Sequence, residues 1–119
     1  MGGRILIVDD EPIIITTLRD RLEHLGYDVI VAESASRAEE QCKVTFPDIV
    51  LVDVMLPDGN GNELCKKFKS INPDMKIIVM TSKLDAVDAY KARCSGADDF
   101  AVKTTDYGML ASALKGLEL

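Results

Sequence analysis

Acidic residues follow two separate apolar runs of the chain, and together they could hold a cation. Asp9 and Asp10 come directly after Ile5–Val8 in "ILIVDDEP", and Asp53 comes directly after Ile49–Val52. Carboxylates brought close together repel one another unless a cation lies between them. Oxygen ligands that stay open to water suit Mg²⁺, which often works together with phosphate. These residues therefore predict a magnesium site that acts on phosphoryl groups.

A hydroxyl and a lysine follow two further apolar runs. Thr81 comes after Ile77–Met80, and Lys103 comes after Phe100–Val102. Such groups could contact separate phosphoryl oxygens, and phosphoryl transfer depends mainly on positioning and charge neutralisation. Taken singly, an acid at a strand end is more often a helix N-cap, and a loop lysine is more often solvated. The combination favours a phosphoryl site.

The apolar runs are the elements that must position these side chains. They are rich in Val and Ile and almost continuous, which is typical of parallel strands covered on both faces. Segments with apolar residues at steps of three and four separate them. Local signals mark the helix ends: Ser34 as an N-cap, Gly26 as a stop, and Asn72-Pro73 as a terminator. The five predicted strands are Ile5–Val8, Val29–Ala32, Ile49–Val52, Ile77–Met80 and Phe100–Val102.

Strict alternation of strand and helix predicts an α/β fold with right-handed crossovers. We expect a doubly wound (βα)5 flavodoxin-like domain over residues 1–119, with a parallel sheet of order 2-1-3-4-5 and helices on both faces. In open sheets of this kind, ligands bind beyond the carboxyl ends of the strands, where the strand order reverses. That point lies between the first and third strands, at Asp9, Asp10 and Asp53.

Composition excludes several classes of partner. The chain has 119 residues and a net charge of −6, which disfavours direct binding to nucleic acid or to an anionic membrane. No apolar run is long enough to span a bilayer, and the N-terminus lacks a signal-peptide pattern. Cys42, Cys65 and Cys94 lack the paired spacing of a metal site or a disulfide framework. We therefore expect a cytoplasmic protein with reduced cysteines.

Taken together, these motifs resemble the receiver domain of bacterial-type two-component response regulators. The resemblance covers essentially the whole chain and includes several spaced motifs on the expected elements. The residues that carry it are Asp9-Asp10, Asp53 with Pro57 and the Gly59/Gly61 turn, Thr81, the "GADDF" segment from Gly96, and Lys103.

The resemblance implies a role for each matching acid. Asp53 would be the phosphoacceptor, taking a phosphoryl group from the phosphohistidine of a histidine kinase or a histidine phosphotransfer protein. Asp10 and Asp53 would bind Mg²⁺ directly, with the backbone carbonyl of Met55 as a third ligand. Asp9 would act on the metal through water. Glu11 would do no more than begin the first helix.

The resemblance also implies a conformational switch. Lys103 would pair with Asp53 or with the phosphoryl group, and Thr81 would hydrogen-bond the phosphoryl group and move towards it. Phe100 matches the switch aromatic of the family, although an ordinary core or edge aromatic is the alternative reading. The face of the fourth helix, fifth strand and fifth helix would then regulate a protein target or a fused output domain, with a homodimer through this face as a further option.

The chain departs from the family pattern at several positions. Thr104 follows Lys103 where the family usually has proline. A cis bond before a non-proline residue costs about 3–4 kcal/mol, so we expect a trans bond with Lys103 still directed at Asp53. Ser82 is small and should keep the path to Asp53 open. In the family that this chain resembles, the positions of Met55 and Lys83 tune hydrolysis of the acyl phosphate, and an apolar Met55 therefore predicts slow autodephosphorylation.

Other functions remain as alternatives. A phosphorylation-independent interaction module would keep the fold alone, and the intact acids, Thr81 and Lys103 argue against it. A flavin carrier would need a phosphate loop where this chain has acids, and an aspartate-based phosphatase usually needs another Asp at the position of Met55. We expect a phosphoacceptor that assists its own phosphorylation and dephosphorylation, not a conventional enzyme. A stand-alone regulator and a receiver from a larger protein both remain open.

Overall fold

A five-stranded parallel sheet forms the centre of the computed structural model, which describes residues 3–81 and 96–102. The strand order is β2-β1-β3-β4-β5, which confirms the predicted order 2-1-3-4-5. The strands are β1 Arg4–Val8, β2 Asp28–Ala32, β3 Ile49–Asp53, β4 Lys76–Thr81 and β5 Asp99–Val102.

Burial on both faces explains why the strands are almost continuously apolar. Ile5, Leu6, Ile7 and Val8 are each 0% exposed. Because successive strand residues point to opposite faces, Ile5 and Ile7 join one core cluster, whereas Leu6 and Val8 join the other. A parallel sheet needs such cover on both sides, and the helices supply it.

Three helices lie within the described residues: α1 Pro12–His24, α2 Ala35–Thr45 and α3 Gly61–Ile71. Leu18 and Leu22 of α1 pack in the first cluster. Residues of α2 and α3, among them Cys42 and Phe68, pack in the second cluster, so these two helices cover the opposite face.

The predicted helix ends agree with the structure. Ser34 is the N-cap of α2, and its side chain accepts a hydrogen bond from the Arg37 N–H. Glu11 precedes Pro12 at the start of α1, as expected for residues that begin a helix. Gly26 follows α1 with a φ of 96°, which glycine adopts without a steric cost. Leu25 continues the apolar spacing of Leu18 and Leu22 in the sequence, but it is the C-cap of α1 and is 63% exposed.

A short antiparallel hairpin interrupts the predicted connection between β3 and α3. It pairs Met55–Leu56 with Gly59–Asn60. Sequence patterns predicted only a turn here, because two-residue strands have no measurable periodicity. The hairpin begins two residues after Asp53 and ends where α3 begins, so it determines how the chain leaves the end of β3.

Several predictions fall on residues outside the described ones. They are the fourth and fifth helices, Ser82, Lys83, Cys94, Lys103, and the bond from Lys103 to Thr104. Within the described ranges, no helix has the length and apolar character needed to cross a bilayer. His24, the one histidine of the sequence, is exposed at the end of α1.

Candidate functional site

Three carboxylates meet at the carboxyl edge of the sheet. Asp9, Asp10 and Asp53 each place one carboxylate oxygen so that all three oxygens lie within 4.8 Å of one another. Asp9 is 0% exposed and Asp53 is 6% exposed, whereas Asp10 is open to solvent. The cluster therefore combines two buried acids with one acid that faces water.

The register of the two central strands brings these acids together. Val8 of β1 pairs with Val52 of β3, so the next residue on each chain segment, Asp9 and Asp53, lies beside the other. β1 and β3 are also the strands between which the order reverses. The site thus lies where ligand sites form in open α/β sheets.

Main-chain groups orient Asp9. Its Oδ1 accepts a hydrogen bond from the Glu11 N–H at 2.9 Å, which closes a tight turn before α1. Its own N–H donates to the Ala32 carbonyl of β2 at 3.1 Å. Asp9 therefore continues the strand pairing of β1, which explains its burial, whereas Asp10 lies beyond that pairing and is exposed.

Asp53 is oriented in a similar way by the chain that follows it. Its Oδ1 accepts a hydrogen bond from the Met55 N–H at 3.2 Å. The Val54 N–H donates to the Met80 carbonyl of β4 at 3.0 Å, and the Val54 carbonyl accepts from the Gly61 N–H at 2.8 Å. The Met55 side chain is 78% exposed beside the cluster. The chain directly after Asp53 is thus hydrogen-bonded both to β4 and to the first residue of α3.

Gly61 approaches the backbone of Asp53 too closely for any side chain. A Cβ at Gly61 would overlap the carbonyl oxygen of Asp53 and would lie 2.8 Å from its carbonyl carbon. Real Cβ atoms do not approach backbone atoms this closely. The second glycine of "DGNG" therefore allows α3 to start against the phosphoacceptor candidate.

Thr81 and Phe100 lie on neighbouring strands, β4 and β5. Thr81 pairs with Val102, and Val79 pairs with Phe100. Because side chains two residues apart share a face, Thr81 lies on the same face of the sheet as Val79 and Phe100. Both Thr81 and Phe100 are half-buried, and Phe100 packs against the second core cluster. Lys103 lies outside the described residues, so its predicted role stays a prediction.

The donor set fits Mg²⁺. The three atoms that converge are carboxylate oxygens, which are the hard ligands that Mg²⁺ prefers. Mg²⁺ also keeps several of its waters, and the exposed side of Asp10 leaves room for them. Among the described residues, the cluster can therefore hold a divalent cation.

Sequence reasoning missed one acid near this site. Asp58, at the tip of the hairpin, accepts hydrogen bonds from the Ala35 and Ser36 N–H groups at the start of α2, at 2.7 and 3.1 Å. These two bonds hold the pKa of the Asp58 carboxyl below its ordinary value. The only sequence signal was Asp58 in "PDG", which predicts a turn and says nothing about a helix more than 20 residues earlier.

Known proteins resemble this chain in sequence and in structure. The model of the response regulator receiver domain family matches residues 5–115. The alkaline phosphatase synthesis transcriptional regulatory protein PhoP of Bacillus subtilis is 38% identical over 87% of this chain. The chemotaxis protein CheY of Thermotoga maritima is 36% identical over 96% of both chains. The solved structure of the response regulator TrrA of Thermotoga maritima, in complex with Mg²⁺ and beryllofluoride, has a TM-score of 0.88 and 30% identity, and covers 99% of this chain and 100% of its own.

The relatives differ in how much of them this chain spans. It spans 43% of the length of PhoP but 96% of CheY. The family match covers nearly the whole chain, and the fold and strand order agree with it. The chain belongs to the response regulator receiver domain family of two-component signalling.

Proposed function

We propose that this receiver domain is a phosphorylation switch in which Asp53 accepts a phosphoryl group in a Mg²⁺-dependent reaction. The donor is the phosphohistidine of a histidine kinase or of a histidine phosphotransfer protein. The observation that carries the proposal is the convergence of three carboxylate oxygens within 4.8 Å at the switch point of the sheet. The similarity to a receiver solved with Mg²⁺ and beryllofluoride supports it.

The transfer reaction forms one bond and breaks another. A carboxylate oxygen of Asp53 bonds to phosphorus, and the bond between phosphorus and the donor imidazole nitrogen breaks. The electron pair stays on that nitrogen, which then takes up a proton. Asp53 becomes an acyl phosphate. The chain contributes positioning here, because β3 and the Met55 N–H hold the carboxylate at the sheet edge.

The acids divide the binding of the metal among them. Asp10, Asp53 and the Met55 carbonyl would hold Mg²⁺ directly, and Asp9 would contact one of its waters. When bound, the ion neutralises charge on the carboxylates and on the phosphoryl oxygens. Lys103 supplies a further positive charge towards the phosphoryl group.

Thr81 and Phe100 convert phosphorylation into a change of surface. The Thr81 hydroxyl donates a hydrogen bond to the phosphoryl group, and Phe100 packs inward on the same face of the sheet. The affected surface is formed by β5 and by the segments on either side of it, which were predicted as the fourth and fifth helices. The domain is a switch that assists its own chemistry, not a conventional enzyme.

The partners follow from the same chemistry. A phosphohistidine protein approaches the acidic edge, and a protein target or an output domain in the same chain responds to the β5 surface. The transcriptional regulator PhoP, of which this chain spans 43%, favours an output domain in the same chain, and the chemotaxis protein CheY, of which it spans 96%, favours a separate protein target. A homodimer through the β5 surface is part of the proposal. The reaction takes place in the cytoplasm, where Cys42 and Cys65 stay reduced.

Acetyl phosphate labelling tests the phosphoacceptor. The wild-type domain, with Mg²⁺, should gain the mass of one phosphoryl group, and Asp53→Asn should gain none. Asp74→Asn is the matched control, because it makes the same change at an exposed acid outside the cluster. Equal labelling of wild type and Asp53→Asn would refute the proposal. Loss of labelling in Asp74→Asn would show that such a loss does not identify Asp53 as the phosphoacceptor.

Beryllofluoride separates the switch from a phosphorylation-independent interaction module. A working switch should bind beryllofluoride with Mg²⁺ at Asp53, with shifts of amide NMR signals near Thr81 and Phe100. A module that keeps the fold alone should show no such shifts while remaining folded. Absence of both labelling and shifts would therefore favour the interaction module.

A further inference from the structure

The tip of the hairpin is fastened to the start of α2 by one side chain. The two carboxylate oxygens of Asp58 accept from two consecutive N–H groups, those of Ala35 and Ser36. The N–H groups of the first helical turn have no partner within the helix, and they form the positive end of the helix dipole. A carboxylate is therefore a strong acceptor at this position.

The rest of the hairpin transmits this attachment to the acid cluster. Leu56 pairs with Gly59, and Met55 pairs with Asn60, so tip and base form one paired unit. At the base, the Gly61 N–H donates to the Val54 carbonyl at 2.8 Å. A Cβ at Gly59 would lie 3.2 Å from the Ala35 Cβ, which shows that the tip rests directly against α2.

We propose that Asp58 is a positioning residue for the phosphoacceptor site. By holding the hairpin against α2, it fixes the Met55 carbonyl and the orientation of the Asp53 carboxylate. The inference rests on the proposed function, in which these two groups bind Mg²⁺. It adds a contact between α2 and the loop after the phosphoacceptor, 22 and 23 residues apart along the chain, that sequence patterns do not contain.

The test compares two ways of weakening the start of α2. Asp58→Ala removes both hydrogen bonds between the hairpin and α2, and Asp58→Asn keeps one acceptor oxygen. Ser34→Ala removes the N-cap of the same helix, whose Oγ accepts from the Arg37 N–H at 3.2 Å, and leaves the hairpin unchanged. Ser34→Ala therefore controls for loss of helix stability alone.

Amide hydrogen exchange without metal is the first measurement. The N–H groups of Met55 and Gly61 are hydrogen-bonded at the base of the hairpin, so their exchange reports its order. Asp58→Ala should speed their exchange by about 2- to 10-fold, the range expected for the loss of a net hydrogen bond. Asp58→Asn should be intermediate, and Ser34→Ala should leave both amides unchanged.

Magnesium affinity, measured by calorimetry, is the second measurement. Asp58→Ala should weaken it by about 2- to 10-fold on the same reasoning, with Ser34→Ala close to wild type. Unchanged exchange and affinity in Asp58→Ala would overturn the inference, as would an equal effect of Ser34→Ala. If the wild-type domain bound no Mg²⁺, the proposed function would fail instead, and the exchange data would still decide whether Asp58 orders the hairpin.

Discussion

The parallel sheet has an amino edge, where its strands begin, and a carboxyl edge, where its strands end. The two edges hold their acidic residues in different ways. At the amino edge, acids are paired with cations: Lys69 Nζ lies 2.8 Å from Asp98 Oδ2, and Arg4 Nε lies 3.0 Å from Asp28 Oδ2. At the carboxyl edge, Asp9, Asp10 and Asp53 are placed beside one another.

The difference indicates that the paired acids of the amino edge stabilise the fold, whereas the acids of the carboxyl edge converge as a cation site requires. Asp98 Oδ2 also accepts from the Ile77 N–H at 2.8 Å, and Lys69 Nζ also donates to the Met75 carbonyl at 2.6 Å. This network ties α3 to β4 and to the start of β5. At the other edge, main-chain N–H groups orient Asp9 and Asp53, and three carboxylate oxygens converge. Like charges at this separation repel one another, and a divalent cation bound between them would reduce that repulsion.

The largest expected effect concerns the main-chain contacts of the carboxyl edge. Gly61→Ala should lower the free energy of unfolding by about 3 kcal/mol, because the new Cβ would overlap the Asp53 carbonyl oxygen and force the backbone to move. Urea unfolding measures the change. Gly59→Ala is the control, since its nearest neighbour is the Ala35 Cβ at 3.2 Å and a small shift relieves that contact. Equal costs at both glycines would contradict this reading.

The next effect concerns the paired acid of the amino edge. Asp98→Ala should lower the free energy of unfolding by about 2 kcal/mol, because it removes the acceptor of the Ile77 N–H and the carboxylate that pairs with the partly buried Lys69 ammonium. The control is Glu40→Ala, which breaks the exposed pair with Arg37 and should cost less than about 0.5 kcal/mol. A cost for Asp98→Ala as small as that of the control would show that the network does not stabilise this edge.

Neutralising an acid of the carboxyl edge should have the opposite sign. Without Mg²⁺, Asp10→Asn should raise the free energy of unfolding by about 1 kcal/mol, the repulsion expected between unit charges at this distance in water. With Mg²⁺, the wild type should gain stability by mass action and Asp10→Asn should gain less. Thermal unfolding with a chelator and with added Mg²⁺ measures both. Destabilisation by Asp10→Asn in the chelator would remove the contrast between the two edges.

The smallest effect concerns pH. Two hydrogen bonds lower the pKa of Asp58 below its ordinary value of 3.8. The bond from the Ala35 N–H has the larger effect, and the bond from the Ser36 N–H has the next largest. A group whose pKa is lower when folded stabilises the protein above its unfolded pKa, and that stabilisation is lost as pH falls through the folded pKa. Stability should therefore fall slightly more in wild type than in Asp58→Asn below about pH 4. NMR titration of the Asp58 carboxyl checks the direction, and an unshifted or raised pKa would contradict it.

Local patterns predicted most of the described fold. Continuous Val and Ile runs predicted the strands, because both faces of a parallel sheet are buried. Ser34 and Asn72-Pro73 predicted helix ends, because capping depends on neighbouring residues. The hairpin that pairs Met55–Leu56 with Gly59–Asn60 was not predicted, because its two-residue strands are too short to show a hydrophobic period. The roles of Asp53, Thr81 and Phe100 remain predictions that the experiments above address.

The sequence by itself determined which acids stand at strand ends, and therefore what chemistry the carboxyl edge could perform. Only the tertiary structure decided that Asp9 is buried while Asp10 faces water, that Gly61 touches the Asp53 backbone, and that Asp58 accepts hydrogen bonds from the start of α2. The physical reason is that these contacts depend on strand register and on the path of the hairpin. Both are set by packing between segments distant in the chain, which the local order of residues does not specify.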